Sequence, residues 1–135
     1  MSYLLDTNVV SELVRPSPNP HVLQWLEGQQ EIVLSAISIE ELSYGIARAP
    51  PASRRRLLTW FETLLAVPAE IVPVDAKIAR ASGDLRAHRE VQGRHVAQAD
   101  MLIAATALIT GRTLVTRNTR DFEGCGVALL DPFTR

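Results

Sequence analysis

The stretch that decides the fold is Tyr3-Leu4-Leu5-Asp6-Thr7-Asn8-Val9-Val10-Ser11-Glu12-Leu13, residues 3–13. A short unbroken apolar run goes straight into a carboxylate and two more polar side chains. Such a run, with no polar alternation, reads as a strand buried in the middle of a parallel sheet. Asp6 then stands at the carboxyl end of that strand. Asp, Thr and Asn all cap helices, so a helix is expected next, over Val9–Val14. The "RPSPNP" segment stops it, because proline cannot continue a helix.

The rest of the chain repeats this alternation. Val22, Leu23 and Leu26 carry a helix over His21–Glu27, and "EIVLS" (31–35) is a second strand. In "SIEELSYGIARAPP" (38–51) Ile39, Leu42 and Ile46 form one helical stripe that the two prolines end. A further helix spans Ser53–Ala66. "EIVPV" (70–74) is a short strand whose internal proline places it at a sheet edge or at a strand end. Asp75 caps a helix that runs to about Val91, and Gly93 interrupts. Ala97–Ile109 is a small-residue apolar helix, and "TLVT" and "VALLD" are the last strands. Strands alternating with helices imply a three-layer α/β/α sandwich around a parallel sheet. In such sheets ligands bind beyond the carboxyl ends of the strands, near a topological switch point.

Four acids fall on that edge. Asp6 ends the first strand, and it can also cap the helix behind it. Glu41 completes the pattern Ser38-Ile39-Glu40-Glu41, a capping box, which places Glu41 in the first turn of the helix after the second strand. Asp100 lies near the start of "ADMLIAATALI", where the helix dipole favours an acid, yet its neighbours Met101, Leu102 and Ile103 put it at the rim of the core. Asp121 follows the fourth strand in "VTRNTRDF", where it can also be a turn residue, and Phe122 anchors the loop. Four carboxylates converging on one edge repel each other unless a cation neutralises them. Oxygen-only donors point to Mg²⁺ or Mn²⁺ rather than zinc. An ion held this way activates water and offsets charge on a phosphodiester under attack.

Composition excludes several alternatives. The 135 residues suit one domain, and 47% hydrophobic with 21% charged residues is ordinary for a globular chain. No run is long and apolar enough to span a membrane and no signal peptide precedes the first strand, so a cytoplasmic protein is expected. Cys125 stands alone, which rules out an internal disulfide and a cysteine zinc cage. Lys77 is the only lysine, every other basic side chain being arginine. Arginine suits phosphate and bases, but codon usage gives the same bias, so composition alone does not establish a polyanionic partner. Neither a dinucleotide glycine motif, a P-loop nor a nucleophile elbow is present. His21, His88 and His95 lie in polar stretches and read as solvated. Trp25 and Trp60 read as core or interface.

"LLDTNVVSEL", "LSAISIEELSYGI", "ADMLIAATAL" and "LVTRNTRDF", in this order and spacing, resemble the PIN-domain ribonucleases, specifically VapC-type toxins. "DTNVVSELVRPSPNPHVLQWL" and the "GR" before Asp100 are most similar to their FitB-like branch. The resemblance implies a PIN fold over residues 1–135, with Asp6, Glu41, Asp100 and Asp121 as an acidic quartet for Mg²⁺ or Mn²⁺. Asn8 and Thr116 match its supporting polar positions. It also implies an RNA substrate, an antitoxin that blocks the site, and a homodimer or toxin–antitoxin hetero-oligomer. Arg86, Arg89, Arg94, Arg117 and Arg120 are candidates for RNA phosphate, with Arg54, Arg55 and Arg56 a second set that also reads as a solvated face. Two rivals stand beside this reading. One is a haloacid-dehalogenase-like phosphatase with Asp6 as nucleophile, although such enzymes carry a second aspartate where this chain has Asn8. The other is a PIN-fold binding module without catalysis.

Overall fold

The computed structural model of the chain describes residues 2–66 and 69–134. The elements follow in the order β1 (Tyr3–Leu5), α1 (Thr7–Ser11), a 3₁₀ turn (Glu12–Val14), α2 (Pro20–Glu27), β2 (Ile32–Ser35), α3 (Ala36–Arg48), α4 (Pro51–Ala66), β3 (Ala69–Val72), α5 (Ala76–Val91), α6 (Gln98–Thr110), β4 (Thr113–Val115), α7 (Thr119–Phe122) and β5 (Leu129–Leu130). All strand pairs are parallel, and the sheet order is β3-β2-β1-β4-β5. The chain therefore winds outward from β1 to β3, then returns to the other side of β1 for β4. The switch point lies between β1 and β4.

Successive strand residues feed opposite faces, and this makes the three layers. Leu4, Val33, Val72 and Leu114 pack with Ile78 of α5 and Met101 and Ile103 of α6. Leu5, Leu34 and Val115 pack with Val9, Val10, Val22, Leu42 and Leu64 from α1 to α4. Leu4, Leu34 and Leu114 are wholly buried, so truncating any one to alanine costs about 2–5 kcal/mol. On α6, Ala104, Ala105 and Ala107 are also fully buried, and their small side chains let the helix lie close against its neighbours.

Several helix starts shift by one to three residues, each for a reason in the residues at the helix start. α1 begins at Thr7 because Asp6 caps it. α2 begins at Pro20 and α4 at Pro51, since a proline that stops one helix is pre-organised for the first position of the next. Asn19 caps α2 by accepting from the His21 and Val22 N–H groups at 2.8 and 3.4 Å. Asp75 caps α5, its Oδ1 accepting from Ile78 N–H at 2.9 Å. β3 lies at the sheet edge, with Pro73 immediately after it. The buried Glu12 holds the proline-rich loop, accepting from Asn19 N–H at 2.8 Å. Among the described residues no helix is long and apolar enough to cross a membrane.

Candidate active site

Asp6 lies at the switch point. Its backbone is still tied to the sheet, the N–H donating to Val115 O at 2.8 Å, while its side chain leaves the strand end and is 5% exposed. Oδ1 accepts from Thr7 N–H at 2.7 Å, and Oδ2 accepts from the Thr116 hydroxyl at 2.7 Å and from Asn8 Nδ2 at 3.3 Å. Asp6 thus caps α1 and anchors a polar cluster at once. The β1–β4 register, Leu5 opposite Val115, is what puts Thr116 beside it. Asn8 is held at its other end as well, its Oδ1 accepting from Arg117 N–H at 3.1 Å. Burial raises the Asp6 pKa above its ordinary value; the Thr116 and Thr7 hydrogen bonds lower it, Glu41 raises it, and Asn8 lowers it.

Glu41 is reached by a different route from the capping box. Ser35, the last residue of β2, caps α3 by accepting from Ile37 N–H at 3.0 Å, so the helix starts at Ala36, two residues before Ser38. Ser35 wins because it is already in extended backbone at the strand end, as a cap requires. Ser38 is consequently inside the helix and Glu41 lies in its second turn, on the same face. The Thr7 hydroxyl donates to Glu41 Oε1 at 2.6 Å and lies 2.8 Å from the Ser38 hydroxyl. Thr7 has one hydroxyl proton and gives it to the carboxylate, so Ser38 donates to Thr7. The only trace of this Ser38–Thr7–Glu41 chain in the sequence is the i, i+3 spacing of Ser38 and Glu41, which reads equally well as a cap.

Asp100 occupies the first turn of α6 and is half-buried. Its carboxyl is pushed up to about 6, first by burial and then by the charges of Asp6, Glu41 and Asp121. Asp6, Asn8, Glu41, Asp100 and Asn118 line one open cleft of about 300 Å³. Asp121, exposed on α7, lies beyond Asp100 in an adjoining pocket of about 140 Å³ shared with Arg94 and His95. Asn118 rather than Asp121 is thus the α7-side residue in the central cleft. Among the described residues no three carboxylate, histidine or cysteine side chains stand close enough to form a ready metal cage. Asp6, Glu41 and Asp121 nevertheless each add to the upward shift that burial gives Asp100, so Asp100 lies in the field of the other three acids. The oxygen donors and the uncompensated negative charge fit Mg²⁺ or Mn²⁺. A larger hollow of about 680 Å³, beside Tyr3, Trp25 and Glu31, lies by the amino ends of β1 and β2 and has no such acid group.

The arginines divide. Arg94, Arg117 and Arg120 are exposed beside the acids, and Arg94 Nη2 donates to Arg120 O at 3.4 Å. Arg86 is half-buried, and its Nε has no partner among the described residues. Arg89 is a correction: it is 1% exposed, donates to the Glu123 carbonyl, and is closed off from any RNA. It belongs to the stripe Ile78, Ser82, Leu85 and Arg89, which α5 turns toward the interior. Arg54 and Arg56 are braces as well, donating to Ala49 O at 2.8 Å and to Val14 O at 3.4 Å.

The chain is a doubly wound parallel α/β/α domain with an acidic cleft at its switch point. The chain belongs to the PIN domain family, whose profile matches residues 3–125. It is 36% identical to the VapC ribonuclease Y4jK of Sinorhizobium fredii, over 96% of each chain. Its fold superposes on the crystal structure of FitAcB from Neisseria gonorrhoeae with a TM-score of 0.89 at 34% identity, covering 98% of this chain and 99% of that one. It also superposes on a toxin–antitoxin complex from Klebsiella pneumoniae with a TM-score of 0.73 at 26% identity, covering 99% and 100%.

Proposed function

We propose that this protein is an endoribonuclease, the toxin of a type II toxin–antitoxin pair, and that it hydrolyses RNA with Mg²⁺ or Mn²⁺ in the cytoplasm. The observation that carries the chemistry is the cleft that Asp6, Glu41 and Asp100 line together, with Asp100 pushed up by burial and then by the other acids. The ribonuclease and toxin–antitoxin relatives support the substrate and the antitoxin partner. A homodimer, or a hetero-oligomer with the antitoxin, belongs to the same reading.

Asp6, Glu41 and Asp100 would hold the metal, with Asp121 completing the acidic surface from the far side of Asp100. Bound there, the ion supplies charge neutralisation at the phosphodiester and a more acidic water. The chain's own residues prepare this. Thr116, Asn8 and the Thr7 N–H orient the Asp6 carboxylate, and the Thr7 hydroxyl orients Glu41. Such supporting hydrogen bonds fix ligand direction and raise affinity. Arg94, Arg117 and Arg120 flank the acids and meet the RNA backbone. Single-stranded or looped RNA fits best, because its bases can splay away from the duplex.

The purified protein, freed of any antitoxin, should cut RNA with Mg²⁺ or Mn²⁺ and stop with EDTA. Asp6→Asn and Asp100→Asn should abolish cutting while the circular dichroism spectrum stays folded. Wild-type rates in either variant would overturn the site. Expression alone should arrest growth, and a small neighbouring reading frame should relieve the arrest. A trapped phosphoryl group on Asp6 would favour a phosphatase instead.

A further inference from the structure

The C-terminal segment Asp131-Pro132-Phe133 reaches the same sheet edge as the acids. Leu130 of β5 pairs with Val115 of β4, and Thr116 N–H donates to Leu130 O at 2.9 Å, so Asp131 stands level with Thr116. The Asp131 carboxylate then accepts from Phe133 N–H at 2.8 Å, which turns the chain. That turn brings the Phe133 ring under Arg117, whose guanidinium carbon lies 5.0 Å from the ring centroid. Arg117 is itself pinned at its backbone, because its N–H donates to Asn8 Oδ1 at 3.1 Å. Its two neighbours both belong to the acidic site: Thr116 holds Asp6, and Asn118 lines the cleft. Among the described residues Arg117 is exposed and in no ion pair, so its charge is free.

We propose that Phe133 is a positioning residue that holds the Arg117 guanidinium beside the acidic cleft, where it grips an RNA phosphate next to the one being cleaved. This rests on the ribonuclease reading above. The physical need is plain: a cleft of carboxylates repels a polyanion, and the whole chain carries a net charge of −1. A long arginine side chain free in water loses rotamer entropy when it binds. One already stacked on an aromatic face loses less, and its planar fork stays open for a bidentate phosphate contact. Phe133 also packs against the core on the α1–α4 face, so a packing role must be separated from a positioning one.

The test measures KM and kcat for a short fluorogenic RNA with Mn²⁺, alongside melting curves, for wild type, Phe133→Leu, Phe133→Met, Phe133→Tyr, Arg117→Ala and Arg117→Ala/Phe133→Leu. Leucine and methionine keep apolar bulk but lose the aromatic face, and two such variants guard against one failing to fold. The expected result is a KM raised roughly threefold to tenfold for Leu and Met, with kcat within about twofold of wild type and recovery in Phe133→Tyr. In the Arg117→Ala background, Phe133→Leu should change KM no further, since residues acting through one another are not additive. The salt dependence of binding should also flatten for Arg117→Ala. Wild-type KM in folded Leu and Met variants, or the same KM increase with and without Arg117, overturns the positioning role while leaving the ribonuclease intact. A wild-type protein that cuts no RNA overturns both.

Discussion

The Thr7 hydroxyl donates to Glu41 Oε1 at 2.6 Å, across a separation of 34 residues in the chain. The same residue's N–H donates to Asp6 Oδ1 at 2.7 Å. One threonine therefore sets the direction of two carboxylates from different elements. Thr7→Val keeps the shape and the N–H bond but removes the hydroxyl, leaving both Glu41 and Ser38 without that partner. Two hydrogen bonds go, one of them to a carboxylate, and the buried Ser38 hydroxyl loses its acceptor, so the stability cost is about 1.5–3 kcal/mol. RNA cutting is expected to fall about 10-fold to 100-fold, the range for residues that orient metal ligands. Thr7→Ser should keep most activity. Rates for the two variants, with melting temperatures as control, decide this; equal rates would dismiss the hydroxyl.

Asp100 makes stability depend on pH in a direction opposite to that of an ordinary paired carboxylate. Its folded pKa is about 6, against 3.8 for the free side chain. Between these values the folded state holds the extra proton, so the stabilisation present below the lower value is lost as pH rises through the upper one. In EDTA, wild type should lose stability between pH 4 and pH 7 that Asp100→Asn retains. At pH 7 the variant should melt at or above the wild-type temperature. Millimolar Mn²⁺ should reverse the order, since a ligand at a hundredfold excess over Kd stabilises the folded state by about 2.7 kcal/mol. If metal raised both melting temperatures equally, Asp100 would not be a ligand. A clearly less stable metal-free variant would mean that Asp100 serves chiefly the amino end of α6.

Asp121 occupies the pocket beyond Asp100, not the cleft shared by Asp6 and Glu41. Neutralising it should therefore matter less. Asp121→Asn is expected to lower kcat but leave measurable cutting, whereas Asp6→Asn and Asp100→Asn leave none. Side-by-side single-turnover rates for the three variants test the ranking, and an Asp121→Asn protein as dead as the others would place this acid in the inner set.

Arg89 packs against Gly124, whose φ of +87° is in the left-handed region. A Cβ there would also run into the Arg89 guanidinium. Gly124→Ala should destabilise the protein by about 1–3 kcal/mol. Part of that penalty is the clash, so the same change in an Arg89→Met background should cost less. Urea unfolding of the two single variants and the double variant measures the difference. Strict additivity would show that backbone conformation alone accounts for the glycine.

The sequence by itself determined the layers. Short apolar runs alternating with helical stripes left no plausible arrangement but a parallel sheet covered on both faces, and Leu4 and Leu5 do feed opposite cores. It also determined that Asp6, Glu41, Asp100 and Asp121 fall at one sheet edge, because each lies close behind a strand or in the first turns of a helix. Local pattern put the start of α3 at Ser38 and could not tell that serine from Ser35. Ser35 and Ser38 both suit a cap, and the choice fell to Ser35 because β2 already holds it extended. Nor could local pattern separate Arg89 from the exposed arginines: its position on the Ile78–Ser82–Leu85 stripe is buried only because α6 and the segment after α7 cover that face. The tertiary structure alone decided who touches whom at the site. Thr116 reaches Asp6, Thr7 reaches Glu41 and Phe133 reaches Arg117 through strand register and helix packing. Those contacts join residues far apart in the chain, and only the assembled sheet brings them within hydrogen-bonding or stacking distance.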